Sequence, residues 1–151
     1  MDIQIVDTSI RHIRELKGNL REDDLMELKK MGLTAKMALV LGYKRSIWCK
    51  TALINGRVAA VWGVNGAPLS VVGTPWLLTS KHCESVSSVK FAKIYKREVR
   101  KMLESFMYLE NMVDASYTKS VRMLELIGFH IDKPESIGGN NMVRKFRIGV
   151  A

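Results

Sequence analysis

An α/β fold, with a mixed sheet of about six to seven strands and helices on both faces, is the class the sequence predicts. Three observations carry that reading. Asn55-Gly56 stands between two runs rich in apolar residues, 46–54 and 57–64, which is the strongest short signal for an antiparallel hairpin. VDASYTKSVRMLELIGF, residues 113–129, reads as a strand running into an amphipathic helix that stops at Gly128. Strand–helix–strand units of this kind bring parallel pairing, which the hairpin does not, so the sheet is mixed.

The elements follow in order. Residues 2–7 alternate polar and apolar, as a strand does. Thr8 or Ser9 caps a first helix over 10–16, which Gly18 ends. Residues 21–31, REDDLMELKKM, place acids first and lysines last, complementing a helix dipole, and Gly32 is positioned to close that helix. A third helix over 34–41 lies between a capping Thr34 and Gly42. After the hairpin, a strand falls at 70–72 or, past Gly73-Thr74-Pro75, at 76–79; Pro75 belongs at a bulge or edge because it has no N–H to donate. The longest helix spans 85–106, with Ala92, Tyr95, Val99, Met102 and Phe106 forming an apolar stripe toward the sheet. A strand over 108–115, a helix over 118–127 and strands over 129–132 and 140–148 complete the chain. No repeat or linker interrupts it, so one domain over 1–151 is expected.

Composition narrows the function. No apolar run reaches the ~20 residues that span a bilayer, and Met1-Asp2-Ile3 begins no signal peptide, so the expectation is a cytoplasmic protein with no membrane partner. Two cysteines, Cys49 and Cys83, make no disulfide framework, and His12, His82 and His130 lack metal-ligand spacing, so no metal is expected. The 24 basic residues exceed the 15 acidic ones, and the resulting charge of +9 favours acidic partners.

The order of elements resembles the GNAT acetyltransferase fold over nearly the whole chain. Three stretches are more specifically similar to a family of small tailed-phage proteins, the internal virion or morphogenesis proteins of short-tailed coliphages: TALINGRVAAVWGV, GAPLSVVGTPWLLTS and VDASYTKSVRMLELIGF. GTPWLLTS is the most distinctive of them. That resemblance implies a role carried by binding, either in virion assembly or in the infected host cell, and the basic charge points to a phage or host protein with an acidic face as the partner.

The GNAT resemblance also implies a cofactor site. A strand offers its backbone to the pantetheine arm of acetyl-CoA, a role falling on Leu77, Leu78 and Thr79. The following helix start, at Ser85, meets the pyrophosphate with free N–H groups. The glycine loop that usually wraps the phosphates, Arg/Gln-x-x-Gly-x-Gly/Ala, is missing: no glycine occurs from Thr74 to Ile127, and Glu84 brings a negative charge to the same junction. Aligning Gly128-Phe129 with the family's Gly-Phe pair puts the usual acid, a tyrosine, at Leu124; Tyr117 is the residue that could be recruited instead. Adjacent His82 and Cys83 point about 100° apart on a helix and make no dyad.

These departures predict a non-catalytic protein that uses no cofactor and acts by binding. The alternative is an acetyl-CoA-dependent N-acetyltransferase modifying a host or phage amine. Lys90, Lys93, Lys96, Arg97, Arg100 and Lys101 supply a basic binding face on the longest helix, and Trp76, beside Gly66-Ala67-Pro68-Leu69 and the acceptor cleft, an apolar anchor. Non-specific nucleic acid is a weaker partner class, because interleaved aromatics are scarce.

Overall fold

A computed structural model describes residues 2–67 and 69–149. It contains β1 (Ile3–Asp7), α1 (Ile10–Lys17), α2 (Glu22–Lys30), α3 (Ala35–Arg45), β2 (Ser46–Ile54), β3 (Arg57–Asn65), β4 (Val72–Thr79), a 3-10 turn (Lys81–Ser85), α4 (Ser88–Met102), β5 (Tyr108–Asp114), α5 (Thr118–Ile127), β6 (His130–Ile131), β7 (Glu135–Gly138) and β8 (Asn141–Gly149). The strands form a mixed eight-stranded sheet ordered β1-β2-β3-β4-β5-β8-β6, with β7 on β8. The chain divides into two compact units, Met1–Gly66 with Trp76–Ser85 and Ala67–Pro75 with Val86–Ala151. Pro68, within the predicted cleft segment, lies outside the described residues.

In the first unit β1, β2 and β3 form an antiparallel meander. Asn55 and Gly56 both take positive φ, 50° and 81°, as the two-residue turn between right-twisted strands requires. Ser9 caps α1 through a capping box in which the His12 ring takes the place usually held by a glutamate: Ser9 Oγ accepts from His12 N–H and His12 Nδ1 accepts from Ser9 N–H. The core gathers Ile13, Leu16, Leu28 and Leu39 from the helices with Val58, Val61 and Leu78 from the strands.

Gly42 does not stop α3, which runs on to Arg45. A Cβ at Gly42 would stand 2.9 Å from Trp76 ring carbons, so glycine there makes room for the indole and costs the helix some stability. Trp76 also packs over Gly63 and donates its indole N–H to Ser46 Oγ at 2.7 Å. Trp76 is half-buried in this packing and Trp62 is wholly buried.

In the second unit β4 starts parallel to β5, pairing Val72 with Tyr108 and Gly73 with Leu109, and β5 pairs antiparallel with β8. The stripe Ala92, Tyr95, Val99 and Met102 is buried along one side of α4, and Phe106 is buried beyond its end. Gly128 ends α5 in the left-handed conformation, after which Phe129 meets Phe146 edge-on at 5.0 Å. The β7–β8 hairpin adds a strand that the sequence did not suggest.

Candidate functional site

Hydrogen bonds to both neighbouring chain segments fix the end of β4. Ser80 N–H donates to Ala59 C=O at 2.8 Å and Ser80 Oγ to Val58 C=O at 2.7 Å, so Ser80 faces β3. Backbone polar groups alternate sides along a strand, so those of Thr79 and Lys81 point away from β3. They meet the chain between α1 and α2. Thr79 C=O accepts from Arg21 N–H at 3.1 Å, and Lys81 N–H donates to Asn19 C=O at 3.2 Å, with Leu20 and Ser80 as the bridged pair. Asp24 Oδ2 accepts from both Thr79 N–H and Thr79 Oγ1–H, each at 2.8 Å.

Local sequence explains this placement. Gly18 caps α1, after which Leu20 turns into the core at 3% exposure. Arg21 is extended, at φ −62° and ψ 149°, which brings its N–H to Thr79 and starts α2 one residue later. Asp24 then falls in the first turn of α2 with its side chain 14% exposed, and its Oδ1 lies 3.4 Å from Arg21 Nη2. Sequence reasoning missed Arg21 and Asp24, because acids opening a helix are already accounted for by the dipole.

The predicted cofactor residues separate here. Leu77 is half-buried, and Leu78 and Thr79 are buried. Ser85 does not open the long helix: it closes the 3-10 turn, its Oγ donating to His82 C=O at 2.9 Å, while α4 starts at Ser88 under a Ser87 cap that accepts from Lys90 N–H. Lys81, His82 and Ser85 instead line an open depression of about 410 Å³ with Ile54, Asn55 and Arg57. Cys83 is buried, and that burial pushes its thiol up to about 11, which removes it as a nucleophile near neutral pH.

The second unit holds the other predicted residues. Tyr117 is the N-cap of α5, with its hydroxyl oxygen screened from solvent. The turn before it is fixed by Asp114 Oδ1, which accepts from Ser116 N–H at 2.8 Å and from Ser116 Oγ–H at 2.6 Å. Leu124 is buried and apolar. On α4, Lys90, Lys93, Arg97, Arg100 and Lys101 are exposed and Lys96 is half-buried. Lys101 is engaged by Glu98, Nζ to Oε2 at 2.9 Å, whose side chain is 2% exposed. Among the described residues no cluster of His, Cys, Asp and Glu could hold a metal ion, and no helix is long and apolar enough to cross a membrane.

No protein-family model matches the chain, and no curated protein matches it. Solved structures are. A GNAT-family acetyltransferase from Streptococcus pneumoniae superposes with a TM-score of 0.68 at 14% identity, covering 99% of this chain and 100% of that one. AAC(6')-Ib, in complex with ribostamycin and coenzyme A, gives 0.70 at 12% identity over 99% and 94%. Salmonella typhimurium yncA with its cofactor acetyl-CoA gives 0.68 at 9% over 97% and 93%. The chain has the GNAT fold.

That finding corrects the expectation of no cofactor, because proteins with the GNAT fold are seen holding coenzyme A and acetyl-CoA. In this conformation, however, the end of β4 does not fit the pantetheine arm of such a cofactor. The backbone groups of Thr79 that a GNAT strand would offer it are already bonded to Arg21 and Asp24. No glycine loop follows, although the cations of Lys81 and Arg57 lie nearby on the depression.

Proposed function

We propose that the protein is an acetyl-CoA-dependent N-acetyltransferase acting on an amine. The observation that carries this reading is the likeness of nearly the whole chain, 97–99% of it, to GNAT acetyltransferase structures that include cofactor-bound ones. The cofactor would supply an activated acetyl group. Within the first unit the chain's own contributions are Leu77 and Leu78 of β4, Thr79 once its contacts to Arg21 and Asp24 are released, and the positive charges of Lys81 and Arg57. Tyr117, in the second unit, is the candidate proton-holding residue of the sequence, since Leu124 has no proton to give.

A role in a phage-infected cell, through a phage or host protein with an acidic face, is the finer reading. The exposed cations Lys90, Lys93, Arg97 and Arg100 support it. Likeness to virion proteins rests on the three quoted stretches alone.

The test is thiol release from acetyl-CoA in the presence of a panel of primary amines, including aminoglycosides and lysine-containing peptides. Turnover above background, reduced ~10²-fold or more by Tyr117→Phe, is the expected result. No turnover with any amine, together with no calorimetric binding of acetyl-CoA at millimolar concentration, overturns the proposal.

A further inference from the structure

We infer that residues 19–24 are an internal strap that occupies the cofactor edge of β4 and must leave before coenzyme A can bind. The inference rests on the acyltransferase reading above and concerns the same strand.

The strap behaves as a substitute ligand. A strand edge recognises an extended amide chain by donating one N–H and accepting one N–H in alternation. Coenzyme A presents such a chain in its pantetheine arm, which carries two amides. The strap presents the same pattern: Arg21 N–H to Thr79 C=O, and Asn19 C=O to Lys81 N–H. Asp24 then takes the remaining Thr79 N–H together with the side-chain hydroxyl. All of the groups of Thr79 that could meet a ligand on this side of β4 are engaged by the chain itself.

The contact is also built to be releasable. It consists of a single isolated bridge rather than a ladder, anchored at one end by Leu20 in the core and at the other by one carboxylate. Residues 19–21 join α1 to α2, and Asp24 lies in the first turn of α2, so release needs only that turn to shift with the connecting residues while the rest of both helices stays in place. A negative charge from Asp24 at the edge would further disfavour an anionic cofactor, and removing that charge acts in the same direction as loosening the strap.

Two substitutions release the edge by different routes. Asp24→Ala removes the carboxylate. Arg21→Pro removes the N–H given to Thr79 at a position whose φ of −62° already suits proline, so the local backbone is kept. A third variant locks the strap. Leu20 and Ser80 face each other as a non-hydrogen-bonded antiparallel pair, whose Cα atoms lie about 4.5 Å apart in general, within reach of a disulfide. Leu20→Cys with Ser80→Cys, in a Cys83→Ala background, would therefore close it reversibly.

The measurement is calorimetric titration with coenzyme A, paired with hydrogen exchange at the Thr79 and Lys81 amides. Both amides are expected to be protected in the native chain without ligand. Asp24→Ala and Arg21→Pro should each bind coenzyme A at least ~10-fold more tightly than the native chain. The oxidised lock should not bind it and should recover on reduction. Binding by the native chain and both release variants with equal affinity overturns the strap while leaving the acyltransferase reading intact. So does rapid exchange at Lys81 in the native chain, or binding by the oxidised lock. No binding by any variant, with exchange showing the edge released, defeats the acyltransferase reading, and the strap's role as a gate falls with it.

Discussion

Asp24 Oδ2 lies 2.8 Å from both the backbone nitrogen and Oγ1 of Thr79, so one carboxylate oxygen accepts two hydrogen bonds from a single residue far along the chain. Both donors are out of bulk water, since Thr79 is buried. Hydrogen bonds to a charged acceptor contribute about 1.5–3 kcal/mol each, and stranding a buried N–H costs a similar amount. Asp24→Ala should therefore lower the urea unfolding free energy by roughly 2 kcal/mol. Thr79→Val removes only the hydroxyl donor and should cost less. In a double-mutant cycle the pair should couple by about 1 kcal/mol. Additive effects would mean that Asp24 does not hold the end of β4.

The packing of Trp76 against two glycines gives a prediction whose sign opposes helix propensity. Alanine is better than glycine in a helix interior by about 1 kcal/mol, so Gly42→Ala would ordinarily stabilise α3. Here the added methyl would meet ring carbons of Trp76 at 2.9 Å, and overpacking of that kind costs about 1–3 kcal/mol. Gly42→Ala should lower the melting temperature in the native chain. In a Trp76→Phe background, where the smaller ring leaves space, the same substitution should be neutral or stabilising. A stabilising Gly42→Ala in the native chain would show that the indole does not lie against α3.

Cys83 makes stability depend on alkaline pH. Burial, the largest cause, raises its thiol to about 11, against an ordinary value near 9. In the unfolded chain the thiol ionises first, so the folded state holds more protons through that interval. The stability contributed by the buried neutral thiol is complete below about pH 9 and is lost as pH rises toward 11, by roughly 2 kcal/mol. Burial shifts Tyr95 in the same direction, with its loss falling at still higher pH. Cys83→Ala should flatten the pH 9–11 part of a denaturation series while leaving the Tyr95 part. At pH 8 iodoacetamide should leave Cys83 unmodified until urea is added.

Much of the fold was legible because its signals are local. Asn55-Gly56 dictates a turn whatever surrounds it, and α5 begins and ends at the residues its periodicity and Gly128 indicate. The failures come where a residue answers to a distant neighbour. Gly42 looked like a helix stop, but its lack of a side chain serves Trp76. Ser85 looked like the start of the long helix, but α4 begins at Ser88 under the Ser87 cap and Lys81–Ser85 form a 3-10 turn. Residues 135–138 carry no apolar alternation and are all exposed, so β7 left no period to read. At the candidate site the strand Leu77–Thr79 was legible, and what covers its end was not. The order of charges in REDD is satisfied by the helix dipole alone, and nothing in it reports that Asp24 faces Thr79.

The basic face of α4 separates into two kinds of cation. Lys93, Arg97 and Arg100 are exposed, and substitutions at such positions usually change stability by less than about 0.5 kcal/mol. Lys101 is different because its ammonium is 2.9 Å from the carboxylate of Glu98, whose side chain is 2% exposed. Taking one partner from a buried pair leaves an uncompensated charge and costs about 3–5 kcal/mol in the general case. The Lys101 side chain is itself 58% exposed, so water offsets part of that cost and roughly 2 kcal/mol is expected. Lys101→Met should therefore destabilise the protein, whereas Lys93→Glu, Arg97→Glu and Arg100→Glu together should not. Adding Glu98→Leu to Lys101→Met should restore stability, since the apolar pair needs no compensation. On a heparin column the triple charge reversal should elute at much lower salt than the native chain, because its cations lie within about a third of the helix circumference and act as one field. A triple variant that elutes at the native salt concentration would reduce the face to a solvated surface. A Lys101→Met variant as stable as the native chain would show that Glu98 does not depend on that lysine.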